Sequence, residues 1–408
     1  MLTIDGKTII TTDWHFGVNQ NRVTKLKILS MAVEKINRFK NSNKVMNLIF
    51  GGDMFHQRNN LSIETINVAI ALMEKIAEKC NVYLILGNHD IFNKNSNSIN
   101  SVKIFKHIRN VNIIESATEC SINGNKTLLV PWNTDLSQFK KDSYDMMIGH
   151  FDISAQYLIE SYIENNIRKN VSREESLRKL NEDSFLVESG LDGLDFSAAN
   201  TTDDIVHGKS SSELIGNWTE IVKKKGVIFS GHIHGHKEFY TNNRRFIFIG
   251  SPYQQTLGEI DSEDGFYTLD KKNNIEFHIL EGIPVHREIK ISEVIKDIDN
   301  FDWQQITGNV LHRIYDVEID NIIDAKIAQK IADFKPFEEL PPDYSSQVSY
   351  SDEKGNENSV DLIRKSKLDY LRGYINNMDK KIIEDDGIDR DRLYDVMKDY
   401  YDQVNEAL

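Results

Sequence analysis

The stretch Val45-Met46-Asn47-Leu48-Ile49-Phe50-Gly51-Gly52-Asp53-Met54-Phe55-His56 decides how this chain is read. A β-type run, Val45–Phe50, stops at two glycines, and a carboxylate and an imidazole follow at once. The same grammar recurs on either side. Lys7–Thr11 reads as a strand and runs into Asp13-Trp14-His15, and Val82–Leu86 runs into Gly87-Asn88-His89-Asp90. Further along, Asp145–Ile148 precedes Gly149-His150, and Val227–Ser230 precedes Gly231-His232-Ile233-His234. Between the first three strands the apolar spacing predicts helices. Arg22–Lys40 places Leu26, Leu29, Val33 and Ile36 on one face, and Ser62–Lys79 opens on a serine suited to an N-cap. Strands alternating with helices imply an α/β layer with at least partly parallel pairing. Ligands of open α/β sheets bind beyond the carboxyl ends of the strands. Five loops are therefore expected to bring carboxylate, amide and imidazole groups to one edge.

Those groups are hard to borderline metal ligands with no thiolate among them, which suits Mn²⁺, Fe²⁺, Zn²⁺ or Mg²⁺ better than a structural zinc site. Each fragment alone is weak. A single Asp-x-His arises by chance, and His150 by itself would read as a buried histidine bonded to a carbonyl. Five fragments, all placed just after β-runs, carry the reading.

Working outward, Val111–Ile114, Leu128–Pro131, Met146–Gly149, Phe246–Ile249 and Gly265–Leu269 are further strand candidates. They extend one catalytic-type domain over residues 1–282. Residues 152–226 break its rhythm and are expected to be an insertion, with an amphipathic stretch at Ile153–Asn170 and a Ser/Asp/Gly-rich segment at Ser189–Ser212. Residues 283–345 suggest a smaller α/β domain, with a strand at Val310–Ile319, a helix at Asp324–Phe334 and a loop at Pro336, Pro341 and Pro342. Residues 346–408 read as a polar linker and two charged amphipathic helices, Val360–Met378 and Asp389–Ala407.

Composition bounds the answer. In 408 residues, 39% are hydrophobic and 27% charged, enough to bury a core and too apolar for a disordered chain. No apolar run approaches the roughly 20 residues of a membrane span, and Met1–Ile10 lacks a signal-peptide pattern. Two cysteines, Cys80 and Cys120, cannot build a disulfide framework. The expectation is a soluble, cytoplasmic protein. The net charge of −14 is unevenly spread: residues 1–150 carry +5, residues 151–284 carry −8 and residues 285–408 carry −11. An acidic chain makes a poor self-sufficient nucleic-acid binder, because phosphate neutralisation dominates such affinity. The first 150 residues escape that objection.

The blocks D-x-H, G-D, G-N-H-[D/E], G-H and G-H-x-H resemble, in this order, those of the calcineurin-like metallophosphoesterases. Gly52-Asp53-Met54-Phe55-His56, with Gly250-Ser251-Pro252 and Asp264-Gly265-Phe266 downstream, is more specifically similar to the SbcD nuclease family of double-strand-break processing, which includes phage recombination-endonuclease subunits. The resemblance covers about the first 270 residues. It implies a four-layer α/β/β/α sandwich followed by a smaller capping domain that shapes DNA access and by C-terminal helices. It also implies two divalent ions, Mn²⁺ foremost and Mg²⁺ as the alternative. Asp13, His15 and His234 would hold one ion; Asn88, His150 and His232 would hold the other, with Asp53 bridging. Two such ions can clamp the attacking and leaving oxygens of an in-line phosphoryl displacement. His89 resembles the family's catalytic histidine, which steadies the transition state and protonates the leaving oxygen. Asp90 would orient His89 by accepting its other ring proton, and His56 resembles a histidine near the scissile phosphate. The resemblance further implies a homodimer, with contacts near 62–79 and 99–107, and a coiled-coil SMC-like ATPase (SbcC-type) partner held by C-terminal helices.

Other residues receive plainer readings. His236 reads as a supporting or solvent-facing residue, Trp14 and Phe16 as packing, and Lys223-Lys224-Lys225 as a solvated face. His107, His207, His278, His286 and His312 stand outside any motif. Arg58, Arg22 and Lys25 follow the metal loops and are candidate contacts to a DNA backbone. Three functions compete: a Mn²⁺-dependent DNA exo/endonuclease subunit of DNA repair and recombination, acting on double-strand ends or single strands; a small-molecule or cyclic-nucleotide phosphodiesterase; and a regulator with a vestigial site. The complete ligand set speaks against the third.

Overall fold

Two β-sheets packed face to face carry the five motif loops along one rim. The computed structural model describes residues 2–18, 23–93, 96–139, 143–151, 221–241, 243–260, 262–317, 319, 321–340 and 343–344. They fall into two units, Met1–His286 and Arg287–Leu408. The first unit contains β1 (Leu2–Ile4), β2 (Thr8–Thr11), α1 (Val23–Ser42), β3 (Asn47–Phe50), α2 (Ile63–Ala77) and β4 (Asn81–Ile85). A hairpin of β5 (Ile91–Asn93) and β6 (Ser96–Asn100) follows, then β7 (Val111–Ile114), β8 (Thr118–Ile122), β9 (Asn125–Val130) and β10 (Tyr144–Gly149). It continues with β11 (Val222–Ser230), β12 (Lys237–Thr241), β13 (Arg244–Phe248), β14 (Gly265–Leu269) and β15 (Ile275–Ile279).

One sheet has the order β15-β14-β2-β3-β4-β7, parallel from β2 to β7, with β14 antiparallel to β2. The other has the order β1-β8-β9-β10-β11-β13-β12, parallel from β9 through β13. Every residue of β2 and β3 is buried, as expected of parallel strands covered on both faces. Between the sheets lies one core, in which Ile10, Ile49, Ile85 and Tyr267 of the first sheet meet Ile122, Leu129, Ile148, Phe229 and Ile247 of the second.

The long helices follow their sequence periodicity. α1 buries Ile28, Leu29, Ala32, Val33 and Ile36, and α2 buries Ala69, Leu72, Met73 and Ile76. Ser62 caps α2, its hydroxyl accepting from the Thr65 N–H at 3.1 Å. The other end of α2 is satisfied from α1. Buried Lys40 donates to the carbonyls of Lys75, Ile76 and Glu78 at 2.9–3.1 Å, which occupies acceptors a helix end leaves open.

Several expectations shift. β11 starts at Val222, so Val222–Gly226 belongs to the sheet and not to an insertion ending at 226. Its lysines are exposed, and the register against β10 slips between Tyr144 and Met146, so this strand end lacks an apolar signal. The edge strands β1, β12 and β15, and β8 next to an edge, have no clear signal in sequence, being short or interrupted by polar residues. The described residues give three layers, α/β/β; Ile153–Asn170 and the rest of the insertion lie outside them. In the second unit, β16 (His286–Lys290), β17 (Val310–Tyr315), β18 (Glu338–Glu339) and β19 (Asp343–Tyr344) form a small sheet, with α3 (Ile291–Val294) and α4 (Asn321–Phe334) beside it. Ile291, Trp303, Ile306, Leu311, Ile327 and Ile331 form its core. The predicted C-terminal helices at 360–378 and 389–407 lie outside the described residues. Among those described, no helix is long and apolar enough to cross a membrane.

Ile148 is fully buried at the centre of the inter-sheet core. Ile148→Ala is expected to cost about 2–5 kcal/mol of stability, read as a lower urea midpoint at unchanged slope.

Candidate metal centre

The loops after β2 and β3 are zipped together by their backbones. Asp13 N–H donates to the Gly52 carbonyl at 2.9 Å, His15 N–H to Asp53 at 3.1 Å, Phe16 N–H to Met54 at 2.8 Å and His56 N–H to Phe16 at 3.0 Å. This pairing holds Asp13, His15 and Asp53 in the left-handed region, at φ 52°, 46° and 58°, and His232 sits at φ 86°. Non-glycine residues there store of order 1–3 kcal/mol each and persist only where the surroundings over-determine them. Two glycines make the close approach possible. A Cβ on Gly52, whose φ is +107°, would lie 2.5 Å from His150 Nδ1, and one on Gly87 would lie 2.1 Å from Asp53 Oδ1.

The seven residues expected as ligands converge. Asp53 Oδ2 lies 3.5 Å from His15 Nε2 and 3.3 Å from His150 Nε2, so one oxygen reaches both halves of the cluster. On one side Asp13 Oδ1 is 3.6 Å from His15 Nε2, which faces His234 Nε2 at 3.1 Å. On the other side Asn88 Oδ1 is 2.9 Å from His150 Nε2 and 3.2 Å from His232 Nδ1. Asp13–His15–His234 and Asp53–His150–His232 each bring three ligand atoms within 4.8 Å of one another.

The outward hydrogen bonds fix which ring nitrogens face inward. His150 Nδ1 donates to the Gly51 carbonyl at 3.0 Å, and His234 Nδ1 donates to Glu259 Oε1 at 3.0 Å. Their Nε2 atoms therefore point at an amide oxygen and at another ring nitrogen, all electron-rich. Such a convergence needs cations at its centre, and this donor set fits divalent metal ions. Without metal, protons fill that place. Burial disfavours the His150 imidazolium, yet the charges of Asp53 and Asp13 push it up to about 9. His234 is likewise pushed up to about 9, by Glu259 and Asp13 against burial. Asp53 is held well below the usual carboxylate range, since the His150 and His15 charges outweigh its burial.

Residues 6–236, over half the chain, match the calcineurin-like phosphoesterase family. The chain belongs to this family. It is 21% identical over 334 residues to exonuclease subunit 1 of Enterobacteria phage T4, covering 78% of this chain and 83% of that one. It is also 25% identical over 116 residues to the putative phosphoesterase 078R of Invertebrate iridescent virus 3, covering 27% and 33%. The fold is that of a metal-dependent phosphoester hydrolase, and the clustered Asp and His groups could hold its metal.

Around the phosphoesterase centre, two expectations change. Asp90 does not orient His89. Its buried carboxylate accepts four backbone N–H bonds, from Asp53 and Gly87 at 2.9 Å through Oδ2 and from Met54 at 2.9 Å and Phe55 at 3.3 Å through Oδ1. His89 instead donates Nδ1–H to the His56 carbonyl at 2.6 Å, and its own N–H reaches Asp53 Oδ1 at 2.8 Å. Lys25 is not offered to a DNA backbone: it is buried, with Nζ 2.9 Å from the Gln255 carbonyl and 2.5 Å from His286 Nε2. Arg22 lies outside the described residues, and Arg58 is half-exposed beyond His56.

His56 is half-buried beside the centre, its ring stacked 5.4 Å from that of His89. Burial, with His15 and His89 nearby, pulls it down to about 4. His236 stacks on Phe277 at 3.8 Å and bonds the Tyr267 hydroxyl at 2.6 Å. Trp14 and Phe16 are fully buried packing residues.

Two neighbours of the ligands escape the sequence reading. Trp132 lies 5.3 Å from the His232 ring and 5.9 Å from that of His150. Its place just after the Leu128–Pro131 run is the available signal. Glu259 has none, since it stands alone in a 3₁₀ turn, Leu257–Glu259.

Two outcomes follow from these geometries. Asp90→Asn replaces one acceptor oxygen with a donor and is expected to destabilise the fold by about 3 kcal/mol, measured by urea unfolding. Because His150 and His234 hold protons at pH 7.5 and must lose them to ligate, Mn²⁺ binding to metal-free protein should release protons and tighten as pH rises toward 9. Calorimetry in buffers of different ionisation enthalpy reads this directly, and a binding enthalpy independent of buffer would contradict it.

Proposed function

We propose that the protein is the nuclease subunit of a DNA-end-processing assembly, hydrolysing phosphodiester bonds with two divalent ions, Mn²⁺ foremost. The observation that carries this reading is the reach of the likeness to a phage exonuclease subunit. Its 334 aligned residues exceed the 6–236 segment of the phosphoesterase family, so the likeness is not confined to the shared metal centre. In this reading Asp13, His15 and His234 would hold one ion, Asn88, His150 and His232 would hold the other, and Asp53 would serve both. Bound there, the ions would supply charge neutralisation at the phosphate and acidify the attacking water.

The chain's own groups complete the chemistry. Because His89 Nδ1 is committed to the His56 carbonyl, Nε2 is the atom left to donate a proton to the leaving oxygen. His56, stacked on His89, flanks the scissile phosphate, and Arg58 contacts the strand beyond it. The excess of basic residues over 1–150 favours a polyanion at this end of the chain. Residues 283–345 would guide DNA access, and the C-terminal helices would hold an SMC-like ATPase. A homodimer would form through α2 and the 3₁₀ turn Ser101–His107.

A small-molecule phosphodiesterase is the competing reading, favoured by the overall charge of −14. End-labelled linear duplex and single-stranded DNA, incubated with Mn²⁺, Mg²⁺ or EDTA, separates the two. Expected are Mn²⁺-dependent cutting and a loss of about 10²–10⁴-fold in His89→Ala, with Mn²⁺ binding retained. Intact DNA alongside hydrolysis of bis-nitrophenyl phosphate would favour the small-substrate reading.

A further inference from the structure

Glu259 is 4% exposed, and each of its carboxylate oxygens is engaged within one loop. Oε1 accepts the Nδ1–H of His234 at 3.0 Å and the Thr256 hydroxyl at 3.2 Å, while Oε2 accepts the Gln255 N–H at 2.6 Å. Gln255 in turn reaches Asp13 in the same half of the cluster, its side-chain amide donating to the Asp13 carbonyl at 2.8 Å and to Ser251 Oγ at 3.1 Å. Ser251 also donates to the Asp13 carbonyl, at 3.0 Å. From behind, the buried Lys25 ammonium donates to the Gln255 carbonyl.

His150 is backed differently. His150, in the other half of the cluster, is backed by the neutral Gly51 carbonyl, and Asn88 there is a neutral ligand. A carboxylate behind a ligating imidazole fixes its tautomer and raises its basicity, whereas a carbonyl fixes the tautomer and adds little charge.

We infer that Glu259 is a positioning residue of the Asp13–His15–His234 ion site, acting through His234 directly and through Gln255 on the Asp13 loop, with no part in the Asn88–His150–His232 site. Glu259 holds the inward-facing Nε2 of His234 in place and adds an anion behind it. Lys25 and Gln255 are the struts that hold Glu259's own loop against Asp13. The inference rests on the two-ion reading above.

Equilibrium Mn²⁺ binding to the metal-free full-length protein, followed by the EPR signal of free Mn²⁺, tests it without any nuclease assay. Wild type is expected to bind two ions. Glu259→Ala should weaken one of them by about 10- to 100-fold and leave the other within about threefold. Added to His234→Ala, Glu259→Ala should cost well under its loss as a single variant, only the route through Gln255 and the Asp13 loop remaining. Added to Asn88→Ala, its full loss should remain. Glu259→Gln keeps the shape and one acceptor oxygen, so it should restore part of the affinity; it also replaces the alanine variant should that one not fold. Equal weakening of both ions, wild-type binding in both variants, or losses that multiply with His234→Ala would each overturn the role of Glu259. A wild-type protein binding fewer than two ions would overturn the two-ion reading, and this inference with it.

Discussion

The buried carboxylate of Asp90 is the contact on which the rest of the centre depends. Four backbone N–H groups, on Asp53, Met54, Phe55 and Gly87, point at its two oxygens. A loop that turns its amides inward needs such an acceptor, because buried N–H groups without partners are costly. With the amides satisfied, the Asp53 loop keeps one shape and can zip onto the Asp13 loop. The strained φ values of Asp13, His15 and Asp53 are then held by the pairing and not by the residues' own preference. Asp53 emerges from that scaffold with Oδ2 between the two halves of the cluster and Oδ1 taken by the His89 N–H. One acid thus fixes the geometry of another.

Much of this was legible in sequence, for a definite reason. Parallel strands buried on both faces read as continuous apolar runs, so β2, β3, β4 and β10 stand out, and the chemistry follows each run immediately. The candidate ligand residues are visible because strand ends and site coincide in this class of sheet. What stayed hidden is what depends on direction and burial. Asp90 and Lys25 carry charges that sequence reads as available, yet Asp90 turns toward a backbone loop and Lys25 toward the Gln255 carbonyl and His286. Glu259 is separated from its partner His234 by 25 residues and has no pattern around it. β1, β8, β12 and β15 lack the apolar-run signal, because they are short or carry polar residues among the apolar ones.

The two halves of the cluster have the same imidazole count and unlike surroundings. Behind His234 stands a carboxylate, and behind His150 a peptide carbonyl. Trp132 covers the His150 and His232 side with an aromatic edge. The site is therefore chemically asymmetric before any ion or substrate enters.

The centre also joins the two sheets. Asp13, Asp53 and Asn88 come from loops after β2, β3 and β4, while His150, His232 and His234 come from loops after β10 and β11. Ions bound among them would tie the rims of both sheets together. Binding to the folded state alone adds RT ln(1 + [L]/Kd) to stability, about 2.7 kcal/mol for each site at a hundredfold excess over Kd. The fold would then report the free concentration of divalent ions around it, its persistence against unfolding and proteolysis rising and falling with the supply of the same ions it uses for hydrolysis.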